Sequence, residues 1–191
     1  MLLPIVAYGH PNLRKISVEI EKDYPDLEQL LANMFETMYA SSGVGLAAPQ
    51  VNRQIRLFVI DAKPYTEEHP EMVAFKGAFI NPVILEEAGE EWAFSEGCLS
   101  IPEIHENVIR KPKVRITYYD ESFNFHDETF DGMIARVIQH EFDHLNGILF
   151  VDKINPLRRL LLKRKLQDIS KGDIDVAYKM IFPLLKRRSL T

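Results

Sequence analysis

Residues 140–144 read His-Glu-Phe-Asp-His. Side chains four apart on a helix stand side by side, so His140 and His144 can offer two imidazoles to one divalent metal ion. Glu141 would lie beside them as a general acid or base. The alternative is a pair of core histidines satisfied by hydrogen bonds. Burying two histidines and a glutamate without a metal would cost on the order of a few kcal/mol per unpaired group, which favours the metal.

Two imidazoles leave a metal short of ligands. Peptidases with this spacing complete the set from a downstream His or Glu. After His144 this chain has neither; its later carboxylates are Asp152, Asp168, Asp173 and Asp175. The third ligand is therefore expected upstream, and the single cysteine, Cys98, is the soft candidate. It sits in Glu-Gly-Cys-Leu-Ser-Ile-Pro-Glu (96–103), where Gly97 allows close backbone approach. A lone cysteine without such context is more often a small buried hydrophobe. A Cys–His–His set would leave one position open, as catalytic metals require. A third segment, Gly-Val-Gly-Leu-Ala-Ala-Pro-Gln (43–50), leaves room for another backbone and ends in Gln50, whose amide can donate to an oxyanion. Alone, such a stretch is usually a tight turn or packing site, with the glutamine a solvent-facing loop amide.

These segments need elements to hold them. Leu27, Leu30, Leu31, Met34 and Met38 recur at helical spacing and predict a helix over 26–40, with Pro25 in its first turn and Ser41-Ser42-Gly43 ending it. Residues 131–146 predict a second helix, capped by Asp131 and closed by Gly147. On it Met133, Ile134, Val137, Ile138, His140, Glu141, His144 and Leu145 share one broad arc, so three polar residues lie inside an apolar face. A third helix should start at Asn155-Pro156, amphipathic through Leu157, Leu160 and Leu161 and otherwise basic. Apolar runs at 55–61 and 78–84 predict strands. Residues 113–120 and 123–130 predict a hairpin about Glu121 and Ser122, and 62–76 reads as a surface loop. Without a βαβ rhythm, the expected class is α+β: antiparallel or mixed strands around a central metal-binding helix, with a C-terminal helix.

At 191 residues, 46% hydrophobic and 27% charged, the chain fits one globular domain. One cysteine excludes an internal disulfide framework, no apolar run reaches membrane-spanning length, and the start reads poorly as a signal peptide. A cytoplasmic protein without a membrane role is expected. Charge is unevenly spread. Residues 1–152 carry 12 Lys/Arg against 25 Asp/Glu, a balance of −13, and residues 153–191 carry 11 against 3, a balance of +8. A catalytic body of about 1–152 and a basic helix and tail of about 153–191 are expected within the single domain. The tail is either a solvated face or a contact for an anionic partner.

Taken together, the segments at 43–50, 96–100 and 140–147 (His-Glu-Phe-Asp-His-Leu-Asn-Gly) resemble the three motifs of the peptide deformylase family, in the same order and at similar spacing. The resemblance runs from the N-terminal helix to about residue 152. It implies removal of the N-formyl group from the initiator methionine of nascent chains. It implies an α+β fold and one divalent metal held by Cys98, His140 and His144, typically ferrous iron, which zinc, nickel or cobalt can replace. Glu141 would be the acid/base, and Gln50 with the Leu99 backbone N–H would face the oxyanion. A peptide substrate needs a groove: Val44, Gly45 and Leu46 are placed to pair with it as an added strand, near Gly97. Met133 and Val137, with Val44 and Phe94, are candidates for the methionine pocket. Arg136, one turn before His140, is expected at the groove mouth with its guanidinium in water or on a peptide carbonyl. His105 stands where well-known bacterial members often carry Arg. The basic tail, with Arg158, Arg159, Lys163, Arg164, Lys165, Lys186, Arg187 and Arg188, would dock on the ribosome. The rivals are an HExxH peptidase, which would cut chains and release no formate, and a catalytically silent homologue that only binds the ribosome or stores metal. The intact Glu141 and Gln50 count against the second.

Overall fold

A computed structural model describes residues 1–63 and 75–184 of the chain. In order, these form β1 (Ile5–Val6), α1 (Leu27–Ala40), β2 (Gly45–Ala47), β3 (Leu57–Asp61), β4 (Lys76–Ala88), β5 (Trp92–Cys98), β6 (Ile101–Arg110), β7 (Lys113–Tyr119), β8 (Phe125–Asp131), α2 (Gly132–Leu145), α3 (Pro156–Lys171) and β9 (Met180–Ile181). Most of the loop expected at 62–76, and Lys186, Arg187 and Arg188, lie outside the described residues. No helix among the described residues is long and apolar enough to cross a membrane.

Five strands form an antiparallel sheet in the order β2-β3-β4-β7-β8, which leaves β2 at an edge. The expected hairpin is β7–β8, and the Asp120 carboxylate accepts from the backbone of Ser122 and Asn124 in its turn. Helix α1 buries Leu30, Leu31, Met34 and Met38 in a cluster with Leu46, Leu57 and Val59. It starts at Leu27 after Asp26, whose φ of 54° breaks the helical path, so Pro25 lies outside the first turn.

Helix α2 is the centre of the molecule. Ile134, Ala135, Val137, Ile138 and Leu145 pack on Phe58, Phe79, Ile116 and Tyr118 of the large sheet. Its opposite side is covered by the β5–β6 hairpin, a pair that the apolar pattern did not announce. Ten of its residues are buried, including Arg136, Gln139, Glu141, Asp143 and His144. A helix covered on both sides carries its polar groups into the core, where each needs a partner or a task. Asp131 stands at the N-cap but makes no capping bond; its carboxylate lies 3.6 Å from Lys113 instead. Gly147 closes the helix with φ 72°, its Cα against the Arg14 carbonyl, where a Cβ would collide.

The basic C-terminal part is woven into the body. Strand β9 pairs in parallel with β1, matching Ile5 to Met180 and Val6 to Ile181. Leu166 and Ile169 of α3 join Val6, Leu13, Ile101 and Phe150 in one core cluster, and Ser170 Oγ donates to the Tyr8 carbonyl at 2.9 Å. Residues 153–184 are therefore not an appendage to a separable body. Emptying two such core positions costs about 2–5 kcal/mol each, a large part of the 5–15 kcal/mol that typically holds a domain folded. Asn155 caps α3 as expected, accepting from the Leu157 N–H. The expected apolar face is displaced, however: Leu157, Leu160 and Leu161 are 64–66% exposed, and only the later turns of α3 reach the core.

Candidate metal centre and catalytic cavity

The pairing of β5 with β6 slips between Glu96–Glu106 and Cys98–Ile101. Irregularities of this kind re-aim side chains beside functional sites. Here the slip sets Glu96, Gly97 and Cys98 against α2. Sγ of Cys98 lies 3.3 Å from Nε2 of His144. Ligand atoms of Cys98, His140 and His144 all fall within 4.8 Å of one another. Thiol and imidazoles at these separations suit iron or zinc. One buried oxygen here, Glu141 Oε2, has no protein partner. The residues present thus fit a metal with a reacting water beside it.

Glu141 is fitted by a glycine. A Cβ at Gly45 would come within 2.5 Å of Glu141 Oε1, so the small residue expected of this segment makes room for the carboxyl group. Burial pushes Glu141 up to about 7, the range in which a carboxyl can both take and return a proton. Gln50 is buried, and its Oε1 accepts from the Ala47 N–H at 2.8 Å. That bond fixes the amide so that Nε2 faces Ser100 Oγ at 3.3 Å and Cys98 Sγ at 3.5 Å. No group among the described residues accepts the Leu99 N–H.

A residue outside the expected set organises the centre. Oε2 of Glu96 lies 3.0 Å from His140 Nδ1 and accepts from Arg110 Nη2 at 2.9 Å; Oε1 accepts from Arg110 Nε at 2.7 Å and Arg136 Nη1 at 2.8 Å. Burial alone would raise the Glu96 carboxyl, but the bonds from Arg110 and His140 outweigh it and hold the group well below the ordinary carboxylate range. A carboxylate at Nδ1 turns Nε2 of His140 toward the thiol, the arrangement that orients metal-binding imidazoles. Arg110 also donates to Asp143 at 2.7 Å, which Lys153 approaches at 3.1 Å. The first glutamate of the 96–103 segment was the available signal for this role; nothing in the sequence marked Arg110.

Arg136 corrects an expectation. Its guanidinium is not at a wet groove mouth: the residue is 2% exposed and donates to Glu96 and to the carbonyls of Val108 and Trp92, with the Trp92 ring 4.2 Å away. Position i−4 from a histidine fixes a helix face but not what covers it, and the β5–β6 hairpin covers this one. Breaking a buried ion pair by removing one partner costs about 3–5 kcal/mol. Arg136→Ala is therefore expected to lower the melting temperature by roughly 10 °C for a domain of this size. Calorimetry of the metal-loaded protein checks this; an unchanged Tm would mean that Arg110 alone satisfies Glu96.

A cavity of about 510 Å³ opens over these groups, lined by Val44, Gly45, Phe94, Gly97, Met133, Arg136 and Val137 among others. Of the residues expected to meet substrate, Leu46 differs: its side chain is fully buried in the core, so only its backbone on edge strand β2 can serve a peptide. His105 also lines the cavity, and its ring stands where a Cβ on Gly97 would be. Tyr178, which sequence reasoning missed, enters the lining from beyond α3 and donates to the Leu99 carbonyl at 2.8 Å. Burial, with Cys98 nearby, pushes its phenol up to about 12, so it remains a donor.

A model of the family described as Polypeptide deformylase matches residues 2–160. The peptide deformylase of Christiangramia forsetii is 54% identical, covering 98% of this chain and 99% of that protein. That of Flavobacterium psychrophilum is also 54% identical, over 94% and 96%. Among solved structures, a peptide deformylase from Legionella pneumophila superposes with a TM-score of 0.79 at 36% identity, covering 91% of this chain and 98% of that one. One from Plasmodium falciparum gives 0.79 at 38%, over 88% and 95%. Sequence, fold and the convergence of three short segments on one buried centre agree, and the chain belongs to the polypeptide deformylase family, metal-dependent hydrolases that remove the N-formyl group from newly made polypeptides.

Proposed function

We propose that Cys98, His140 and His144 hold the metal of this deformylase, with Glu141 as acid/base and Gln50 and the Leu99 N–H as oxyanion donors. The observation that carries this reading is the closeness of the three ligand atoms, within 4.8 Å, in a cavity that also receives Glu141. When bound, the metal would supply Lewis acidity, bringing water toward ionisation near neutral pH and drawing charge from the formyl oxygen. Glu141 Oε2 takes the proton of the attacking water and returns it to the departing amine nitrogen. Gln50 Nε2 and the Leu99 N–H donate to the carbonyl oxygen as it becomes an oxyanion, one such donor being worth about 3 kcal/mol. The unpaired sheet edge at Val44 and at Gly45 and Leu46 of β2 pairs with the peptide backbone. Met133, Val137, Val44 and Phe94 enclose the methionine side chain, and Gly97 keeps the wall thin beside Cys98.

Ferrous iron is the metal we assign in the cell, with zinc, nickel or cobalt able to replace it; the thiolate suits all of these better than magnesium. Iron would also expose Cys98 to oxidation. Formate release from a formyl-methionyl peptide, with metal analysis of protein purified without oxygen, tests the whole reading. Formate without chain cleavage is expected, and peptide-bond cleavage without formate would overturn it.

The reaction belongs in the cytoplasm beside the ribosome, with residues 153–191 serving both the single domain and docking. Arg158 and Arg159 are engaged with Glu106 and Asp152. Exposed Lys163, Arg164 and Lys165 are thus the groups offered to ribosomal phosphates. Replacing all three with Glu should weaken co-sedimentation with ribosomes at low salt and flatten its salt dependence. Unchanged co-sedimentation would leave the charge split as a solvated surface.

A further inference from the structure

We propose that Tyr178 is a positioning residue for formyl hydrolysis: its hydroxyl pins the Leu99 carbonyl and thereby holds the Leu99 N–H in place over the cavity. The proposal rests on the reading of that N–H as an oxyanion donor. Leu99 and Ser100 form the turn between β5 and β6, immediately after Cys98. Such a turn is the least constrained part of a hairpin, yet an oxyanion donor must be placed within a fraction of an ångström.

Three remote segments hold this turn. The Tyr8 N–H donates to the Ser100 carbonyl at 2.8 Å. Gln50 Nε2 donates to Ser100 Oγ at 3.3 Å. Tyr178 OH donates to the Leu99 carbonyl at 2.8 Å. On the remaining side the Leu99 side chain lies against Gly43, where a Cβ would come within 2.8 Å of it. Tyr8 follows β1 by two residues and Tyr178 precedes β9 by two, so they reach the turn from opposite ends of the parallel β1–β9 pair. Of these hydrogen bonds, only that of Tyr178 reaches Leu99 itself, whose Cα joins the pinned carbonyl to the donating N–H. The chain beyond α3 thus takes part in the chemistry through this hydroxyl.

Tyr178→Phe removes the hydroxyl and keeps the ring. In the metal-loaded full chain, kcat should fall about ten-fold, a fraction of the 10²–10³-fold that losing a whole donor costs. KM should stay within about two-fold, because the lost interaction serves the transition state alone. The metal-to-protein ratio should not change. Rates are read well below the melting temperature of each variant, so loss of folded protein does not enter. A raised KM with kcat unchanged would make Tyr178 a substrate contact, and an unchanged kcat would leave it purely structural; either overturns the proposal.

A second chain, with leucic acid at position 99, replaces the Leu99 N–H by an ester oxygen. It separates failure of the proposal from failure of the reading beneath it. If the ester chain keeps full kcat, the oxyanion reading is wrong. If it loses about 100-fold while Tyr178→Phe loses nothing, only the proposal fails. In the ester chain Tyr178→Phe should cost little further, since the two changes act on one donor; a full ten-fold additional loss there would show that Tyr178 acts elsewhere.

Discussion

Replacing Glu141 with alanine is expected to lower kcat by about three decades while the bound metal remains. The size follows from the lack of a substitute. Glu96 is the other buried carboxylate lining the cavity, and it is held ionised by Arg110, Arg136 and His140, so no lone site is left to carry a proton. His140 and His144 are taken up in the proposed ligand set. Gln50 Nε2 and the Leu99 N–H can only donate, and Gln50 Oε1 is taken by the Ala47 N–H. Glu141 alone combines burial, an unpartnered oxygen and an affinity for protons near neutrality. Its carboxyl group also lies against Gly45, in reach of a carbonyl carbon approaching along the β2 edge. Measuring kcat and metal content on the same preparation checks the expectation. A variant within ten-fold of the parent would show that another group moves the proton.

The sequence disclosed this centre because its chemistry is concentrated in three short runs whose spacing has a physical meaning. His140 and His144 had to share a helix face, and Cys98 was the one thiol in the chain. The helices at 27–40 and 132–145 were legible from their apolar period, and the start of the one at 156–171 from its Asn155 cap. What escaped was depth. Helical position placed Arg136 near His140 but could not say that β5 and β6 would cover it. The two-residue alternation of that hairpin is broken at Gly97–Cys98 and again by Glu103 with φ 62°. Tyr178 was hidden for a different reason. Its partner is 79 residues away, and the strands that bring them together are two residues long, too short to leave a pattern. The same two-residue pairing defeats a reading of the basic tail from charge alone, because its structural half is apolar.

Cys98→Ala is expected to abolish tight metal binding. Loss of a hydrogen-bond partner behind a ligand commonly weakens metal affinity 10–100-fold; loss of the ligand itself should exceed that. Linkage makes this measurable without activity. Metal at about 1,000 times its Kd stabilises the folded chain by about 4 kcal/mol, which for a domain of this size raises Tm by roughly 8–16 °C. A hundred-fold weaker site at the same concentration yields about 1.4 kcal/mol, or roughly 3–6 °C, and the variant should fall below even that. Cys98 is half-buried against the cluster around Ile101 and Phe150, so alanine also removes some packing. That loss lowers Tm equally with and without metal and cancels in the metal-induced shift. Equal shifts in parent and variant would remove Cys98 from the ligand set. They would leave His140 and His144 as a peptidase-like pair of imidazoles without its third ligand.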